Sequence, residues 1–347
     1  MWLISLRDLE WRRRRFAIAV LATGLVLALA LLLTGVRASF DNEISRTVGS
    51  FGADQWLVAE GAVGPFTAPI GFPASRADDV RRVRGVREAD PVAIVGATAL
   101  TPDPENVNVI GAVPGGIGPA GDAQDLLDRA GAAIVDERLG VDEGDTITLS
   151  GMEFEVVAER SGGTYFAGVP TVVAALSDVQ RLGFDGRPLA TAIVTEGNVD
   201  AAPPKGFSVL TNGDVKQDLN RPVAQAKQTI GLIRWLLWAV AAGIVGAILY
   251  LSTLERTADF AVFKAIGVST ASLVRGLVGQ AVVLTLVAVA VAIVLELLLA
   301  PLSAMKVEVP ARAYAELLVV AVLAGAVASL AALRRALKID PALAFAG

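Results

Sequence analysis

The sequence contains neither cysteine nor histidine. Without cysteine no part of the chain depends on a disulfide, and thiolate chemistry is excluded. Without histidine the commonest metal ligand and general base is missing, so His-based triads and the zinc motif H-E-x-x-H cannot be built. No lysine follows a glycine, so there is no P-loop in which backbone amides and a lysine ammonium hold a nucleotide's phosphates. Basic residues do not exceed acidic ones, at 30 against 35, so nothing in the charge balance calls for nucleic acid.

Apolar residues are plentiful: 54% of the 347 residues are hydrophobic and the mean hydropathy is +0.59, well above an ordinary soluble domain. Four runs approach the roughly 20 apolar residues that cross a hydrocarbon core: residues 16–36, 235–254, 276–295 and 317–333. None contains a charge, while Glu296 and Glu316 stand at the edges of the last two, where a side chain is expected to reach the headgroups. The first run is longer than the core of a cleaved signal peptide, so it reads as an anchor.

Between the first and second runs lie about 200 residues of globular composition, enough for a core of their own. Residues 37–228 carry a net charge of −11 and the rest +6. Short basic flanks set orientation. Arg7 and Arg12 to Arg15 precede the first run, Arg256, Lys264 and Arg275 lie between the second and third, and Arg334, Arg335 and Lys338 follow the fourth. The expectation is an α-helical membrane protein of the bacterial cell membrane, with both termini cytoplasmic and a large extracytoplasmic α+β domain between the first and second of four transmembrane helices. Its segments are a cytoplasmic 1–15, helix 16–36, the outer domain 37–234 with a stalk helix at each end, helix 235–254, a cytoplasmic 255–275, helix 276–295, an outer loop 296–316, helix 317–333 and a cytoplasmic 334–347.

Helical spacing supports the stalks. Phe40, Ile44, Val48 and Phe51 continue the first helix, and Val223, Ala226, Ile230 and Ile233 precede the second, with Pro222 in its first turn. Inside the domain, residues 75–84 read as a helix ended by Gly85, 92–100 as a strand, 122–129 as a short helix and 132–135 as a strand. Residues 146–149 and 153–157 form a hairpin about Ser150-Gly151. Strands over 169–175 and 190–195 flank a helix over 177–182.

Chemistry is sparse. Gly116, Gly118 and Gly121 fit G-x-G-x-x-G, with Asp136 twenty residues after the first, a superficial dinucleotide fingerprint that keeps a membrane-anchored enzyme as a distant alternative. Pro114 and Pro119 suit an irregular loop better. The acid pairs Asp136/Glu137 and Asp142/Glu143 read as solvated loop charges. Small residues four apart, Ala239/Gly243 and Ala242/Gly246 in the second run and Ala321/Gly325/Ser329 in the fourth, permit close helix packing in lipid.

After the second run the sequence reads Glu255-Arg256-Thr257-Ala258-Asp259-Phe260-Ala261-Val262-Phe263-Lys264-Ala265-Ile266-Gly267. Phe260, Phe263 and Ile266 share a helical face and Gly267 terminates it. This segment resembles the FtsX/MacB-type ABC transporter permease family, with Asp259 where Glu is usual. Residues 132–182 resemble the family's extracytoplasmic domain and 334–345 its C-terminal signature. The resemblance implies a permease subunit with no cofactor of its own, ATP and magnesium being bound by a separate cytoplasmic ATPase. It assigns Glu255, Arg256, Asp259, Phe260, Phe263, Lys264 and Gly267 to a coupling helix on that ATPase. It also implies a second permease copy, membrane lipids around the spans, and an extracytoplasmic adaptor or hydrolase. The implied work is export or extraction of a lipid, lipoprotein, peptide or drug by movement of the outer domain. The alternative is a complex that transports nothing and activates a cell-wall hydrolase.

Overall fold

The computed structural model describes residues 13–100, 104–166, 168–200, 202–255, 262, 266–302 and 307–337. The chain divides into two compact units: residues 40–225, and the flanking segments that end at Ser39 and resume at Ala226. Two long helices contribute to both, α1 (Arg13–Ser50) and α4 (Asn212–Glu255). Between them lie α2 (Ala77–Arg81) and α3 (Leu176–Phe184).

The unit from 40 to 225 is organised by one long strand. Strand β3 (Val86–Leu100) follows β1 (Gln55–Ala59) and the short β2 (Phe72–Pro73). After it come β4 (Glu105–Ala112), β5 (Ala132–Asp136), β6 (Thr146–Leu149), β7 (Met152–Arg160), β8 (Thr164–Tyr165) and β9 (Val169–Ala175). The last are β10 (Leu189–Ala190), β11 (Ala192–Gly197) and β12 (Phe207–Thr211). The C-terminal half of β3 pairs with β4 from Ala93 to Ala99, and the order continues β9, β5, β7, β6. Strand β6 then returns to β3 through Ala99 opposite Leu149 and Leu100 opposite Thr148. The six strands therefore close into a barrel, which leaves no unpaired edge there. Alternate residues of each strand fill it, among them Val107, Val109, Val135, Ile147, Phe154, Val156 and Val172. The N-terminal half of β3 pairs instead with β11, extending into the antiparallel order β11, β1, β12. A second core packs there, with Leu57, Phe72, Val80, Ile193 and Phe207.

Turn chemistry fixes these registers. The β6–β7 hairpin turns on Ser150 and Gly151, both at positive φ (45° and 91°), the conformation of a two-residue turn whose twist matches its strands. Gly111 on β4 lets α3 approach: a Cβ there would lie 2.7 Å from Val179 Cβ, too close for any side chain.

Several expectations are corrected. The strand expected over 92–100 starts at Val86, and the helix expected over 122–129 is a 3₁₀ stretch, Gly121–Asp128. The helix expected from Ser75 opens as a 3₁₀ turn before α2, which ends at Arg81. Helix α4 begins ten residues before Pro222. Its start is a reciprocal cap: Thr211 N–H donates to Asp214 Oδ2 (2.8 Å) while Asp214 N–H donates to Thr211 Oγ1 (3.2 Å). Its buried stripe is Val215, Leu219, Val223 and Lys227, while Ala226 and Ile233, expected on the apolar stripe, are exposed.

The second unit is helical, with α5 (Thr270–Leu299) and α6 (Ala311–Leu337) joining the outer portions of α1 and α4. Among the described residues three helices are long and apolar enough to cross a membrane, those of 16–50, 212–255 and 278–302. Helix α6 lies against α5: Ala313, Leu317 and Ala321 share a core with Ala288, Val289 and Ala292, joined by Leu27, Ala28 and Leu31 of α1 and Ala241 of α4. Glu296 does not reach for the headgroups. It is 2% exposed and accepts a hydrogen bond from Tyr314 Oη at 3.0 Å, because it lies on the same face as Ala281, Thr285, Ala288 and Ala292, the face that α5 buries.

Candidate functional site

The most elaborate side-chain construction in the described residues is where the ends of α1 and α4 meet the strands of the 40–225 unit. Phe51, in the turn after α1, packs edge-on against Trp56 of β1 (centroids 4.6 Å apart), and Phe66 touches both Trp56 (5.9 Å) and Tyr165 of β8 (5.3 Å). All four rings are buried. Such pairs add about 0.5–1.5 kcal/mol each beyond their buried area. Burial pushes the Tyr165 hydroxyl far above the ordinary tyrosine range, so it is neutral at any physiological pH.

Polar bonds lock the same junction. Trp56 Nε1 donates to Asn212 Oδ1 at 2.8 Å, and Asn212 Nδ2 donates to Ala53 O at 2.9 Å. One side chain at the head of α4 therefore holds both β1 and the turn that follows α1. One and a half turns on, Asp218 is 1% exposed and accepts from Phe66 N–H (3.0 Å), Thr67 N–H (3.3 Å) and the Thr67 hydroxyl. Gly64 sits so close beneath that carboxylate that a Cβ would overlap it.

A second clamp joins α1 to the barrel through residues 161–166 and Gly168. Thr47 Oγ1 lies 3.2 Å from Thr164 O, Glu43 Oε1 accepts from Gly168 N–H at 2.8 Å, and Arg138 Nη1 donates to Gly168 O at 2.9 Å. Asp136 holds the other end, accepting from Gly163 N–H at 2.7 Å and Arg138 N–H at 3.1 Å. Burial raises its pKa, opposed by those bonds. Sequence reading placed Asp136 among solvated loop charges; it is instead wholly buried, a position that two neighbouring glycines, Gly162 and Gly163, foreshadow.

Of the segment expected to contact an ATPase, Glu255 ends α4, Val262 is helical and exposed, and Ile266 N–H bonds Val262 O at 3.0 Å, one helical turn. Gly267 follows at φ 87°, the left-handed terminator its position required. Arg256, Asp259, Phe260, Phe263 and Lys264 lie outside the described residues. Of the small residues expected to pack helices, Gly325 meets Thr285, whose Oγ1 would lie 2.6 Å from a Cβ there, and Ala321 is buried. Ala239 and Gly243 are exposed, with nothing within 4 Å of a Cβ at 243, Gly246 is half-buried, and the Ser329 side chain lies outside the described residues. Gly24 was missed: a Cβ there would sit 2.8 Å from Val291 Cγ1, and its isolation in an apolar run was the available signal.

Residues 231–341 match the FtsX-like permease C-terminal family. Over the whole length of both chains the protein is 40% identical to proteins named as ABC transporter permeases from Mycobacterium bovis and Mycobacterium tuberculosis, and 38% identical to a second such permease of Mycobacterium tuberculosis. This chain belongs to the FtsX-like ABC transporter permeases. Among solved structures the permease is similar to the periplasmic region of MacB from Actinobacillus actinomycetemcomitans, with 13% identity over 50% of this chain and 95% of that one and a TM-score of 0.35. It is also similar to the extracellular domain of the transporter YknZ from Gram-positive bacteria, with 13% identity over 41% and 90% and a TM-score of 0.31.

A permease of this class works with a partner ATPase subunit and is not itself an enzyme. Among the described residues no three acids stand together as a metal site. The G-x-G-x-x-G stretch does not cradle a phosphate. Ile117 N–H turns inward to Asp90 Oδ2 (2.9 Å), Gln124 Nε2 donates to Val113 O and Gly116 O, and the following helix is the 3₁₀ stretch Gly121–Asp128.

Proposed function

We infer that this permease passes the work of ATP hydrolysis in a separate cytoplasmic ATPase to the 40–225 unit, outside the cell membrane, through α1 and α4. The observation that carries this reading is that both helices run unbroken into that unit and are fastened there by buried aromatic and charged contacts centred on Phe51, Trp56, Asn212 and Asp218. A helix transmits displacement along its axis only if its end is fixed, and these ends are. Four crossings, with both termini cytoplasmic, follow from the basic flanks and from α6 as the fourth span. The segment from Glu255 to Gly267 is the ATPase contact, with Phe260 and Phe263 as its apolar anchors. The permease acts as a pair of copies, and its cargo belongs to the lipid, lipoprotein, peptide or drug class.

Co-purification of the ATPase with the Phe260→Ala/Phe263→Ala permease, at matched membrane abundance, tests the contact. Aromatic anchors in a docked groove each cost about 2 kcal/mol or more when removed, so recovery of the ATPase falls steeply. Unchanged recovery would refute the assignment.

A further inference from the structure

A groove of about 410 Å³ opens on the outside of the barrel, floored by β3 and β4 and walled by the β6–β7 turn and the loop that leads into β9. Its size is that of a small-ligand site. Gly96 lies on the floor with nothing within 4 Å of where a Cβ would be. Thr98, Asn106, Asn108 and Ser150 supply its polar groups and Phe166 an aromatic wall, and among the described residues no ionisable side chain lines it.

Two features show what it would bind. The Ser150 hydroxyl accepts from Thr98 N–H at 3.2 Å, which leaves its own proton to donate. The Asn108 Nδ2 is buried with no hydrogen-bond partner. Donors without cations favour neutral oxygen acceptors over phosphate or carboxylate. The barrel strands beneath are paired on both sides, so a peptide cannot add as a strand. Scattered hydroxyl and amide groups facing one aromatic ring suit a ligand with many hydroxyls, each both donor and acceptor, and an apolar face. We propose that this groove binds a neutral saccharide.

The groove is tied to α1. Phe166 holds a left-handed backbone, φ 55°, a strained state for a residue with a side chain, kept only where its surroundings impose it. Those surroundings are the clamp of residues 161–166 and Gly168, which Glu43 and Thr47 of α1 fasten through Gly168 and Thr164. An occupied groove presses on Phe166 and so on α1. This readout rests on the mechanical reading above; the binding site does not.

The test uses the full-length permease in nanodiscs, without ATPase, titrated with N,N′-diacetylchitobiose and maltose by saturation-transfer NMR. Glucuronic acid and a capped neutral tripeptide serve as comparison probes. At least one disaccharide binds saturably and more tightly than either comparison probe. Gly96→Leu, which fills open space rather than core, weakens binding tenfold or more, as does Phe166→Ala. Binding slows hydrogen exchange in residues 161–166 and Gly168. Absence of saturable disaccharide binding, preference for the acid or the tripeptide, or undiminished binding by Gly96→Leu overturns the site. Binding without slower exchange overturns the readout alone, and neither result bears on the ATPase contact.

Discussion

Asp218 shows how one residue serves two elements. It lies on α4, yet its carboxylate is spent on the amides of Phe66 and Thr67, and Pro222, lacking an N–H, leaves the Asp218 carbonyl without its helical partner. Hydrogen bonds to a buried charge are worth about 1.5–3 kcal/mol, so Asp218→Ala frees the 60–71 loop and raises hydrogen exchange at Phe66 and Thr67 while α4 stays helical. Unchanged exchange there would mean that the aromatic cluster alone holds the loop. Thr211 is a second residue of this kind. Thr211→Ala removes the cap and costs about 1 kcal/mol of local stability, read as faster exchange in the first turn of α4. The same cap sets a pH dependence. The hydroxyl and N–H of Thr211 hold the Asp214 carboxyl below its ordinary value, so the cap is intact above the ordinary aspartate range. It is lost only as pH falls through the depressed value, so the protection of that turn, taken relative to the intrinsic exchange rate at each pH, falls on acidification below the ordinary aspartate range.

Helices α4, α5 and α6 differ in how they use small residues, and that difference is testable. Gly325→Val would force a methyl against Thr285, and overpacking of this kind costs about 1–3 kcal/mol; the variant lowers the melting temperature of the detergent-solubilised permease. Gly243→Val meets nothing among the described residues and leaves that temperature unchanged. A second copy packed on the exposed Ala239 and Gly243 of α4 would lose cross-linked dimer in Gly243→Val, and an unaffected dimer places the contact elsewhere.

These elements were unequally legible in the sequence. The hairpin at Ser150-Gly151 was readable because alternation and turn chemistry coincide there, and strand β9 because it is a short, almost continuous apolar run. Strand β4 was not: Asn106 and Asn108 are poor strand formers, and both line the barrel's outer groove. The head of α4 was hidden because Pro222 imitates a helix start while the true cap, Thr211 with Asp214, lies one polar stretch earlier. The buried face of α5 was not read: Ala281, Thr285, Ala288 and Ala292 recur at three- and four-residue spacing, yet Glu296 on the same face was expected at the headgroups. The junction of Phe51, Trp56, Phe66 and Tyr165 was beyond reach, since Phe66 and Tyr165 meet across about a hundred positions.

For the whole molecule, orientation and coupling are the claims that matter. The lack of native cysteine gives a clean background for both. Single cysteines at Asp125 and Lys205 label with an impermeant thiol reagent in intact cells, and one at Thr257 does not; the reverse pattern would invert the topology. The coupling claim is tested most directly by pulsed electron–electron distance measurement on the permease–ATPase complex. The spin labels replace Arg82 in the 40–225 unit and Leu302 in the helical unit, both on the surface. The account predicts a distance distribution that shifts during ATP turnover. The shift is absent with a hydrolysis-deficient ATPase and smaller when Asn212→Ala and Asp218→Ala loosen the end of α4. A distribution identical in the nucleotide-free and turning-over complexes would contradict it.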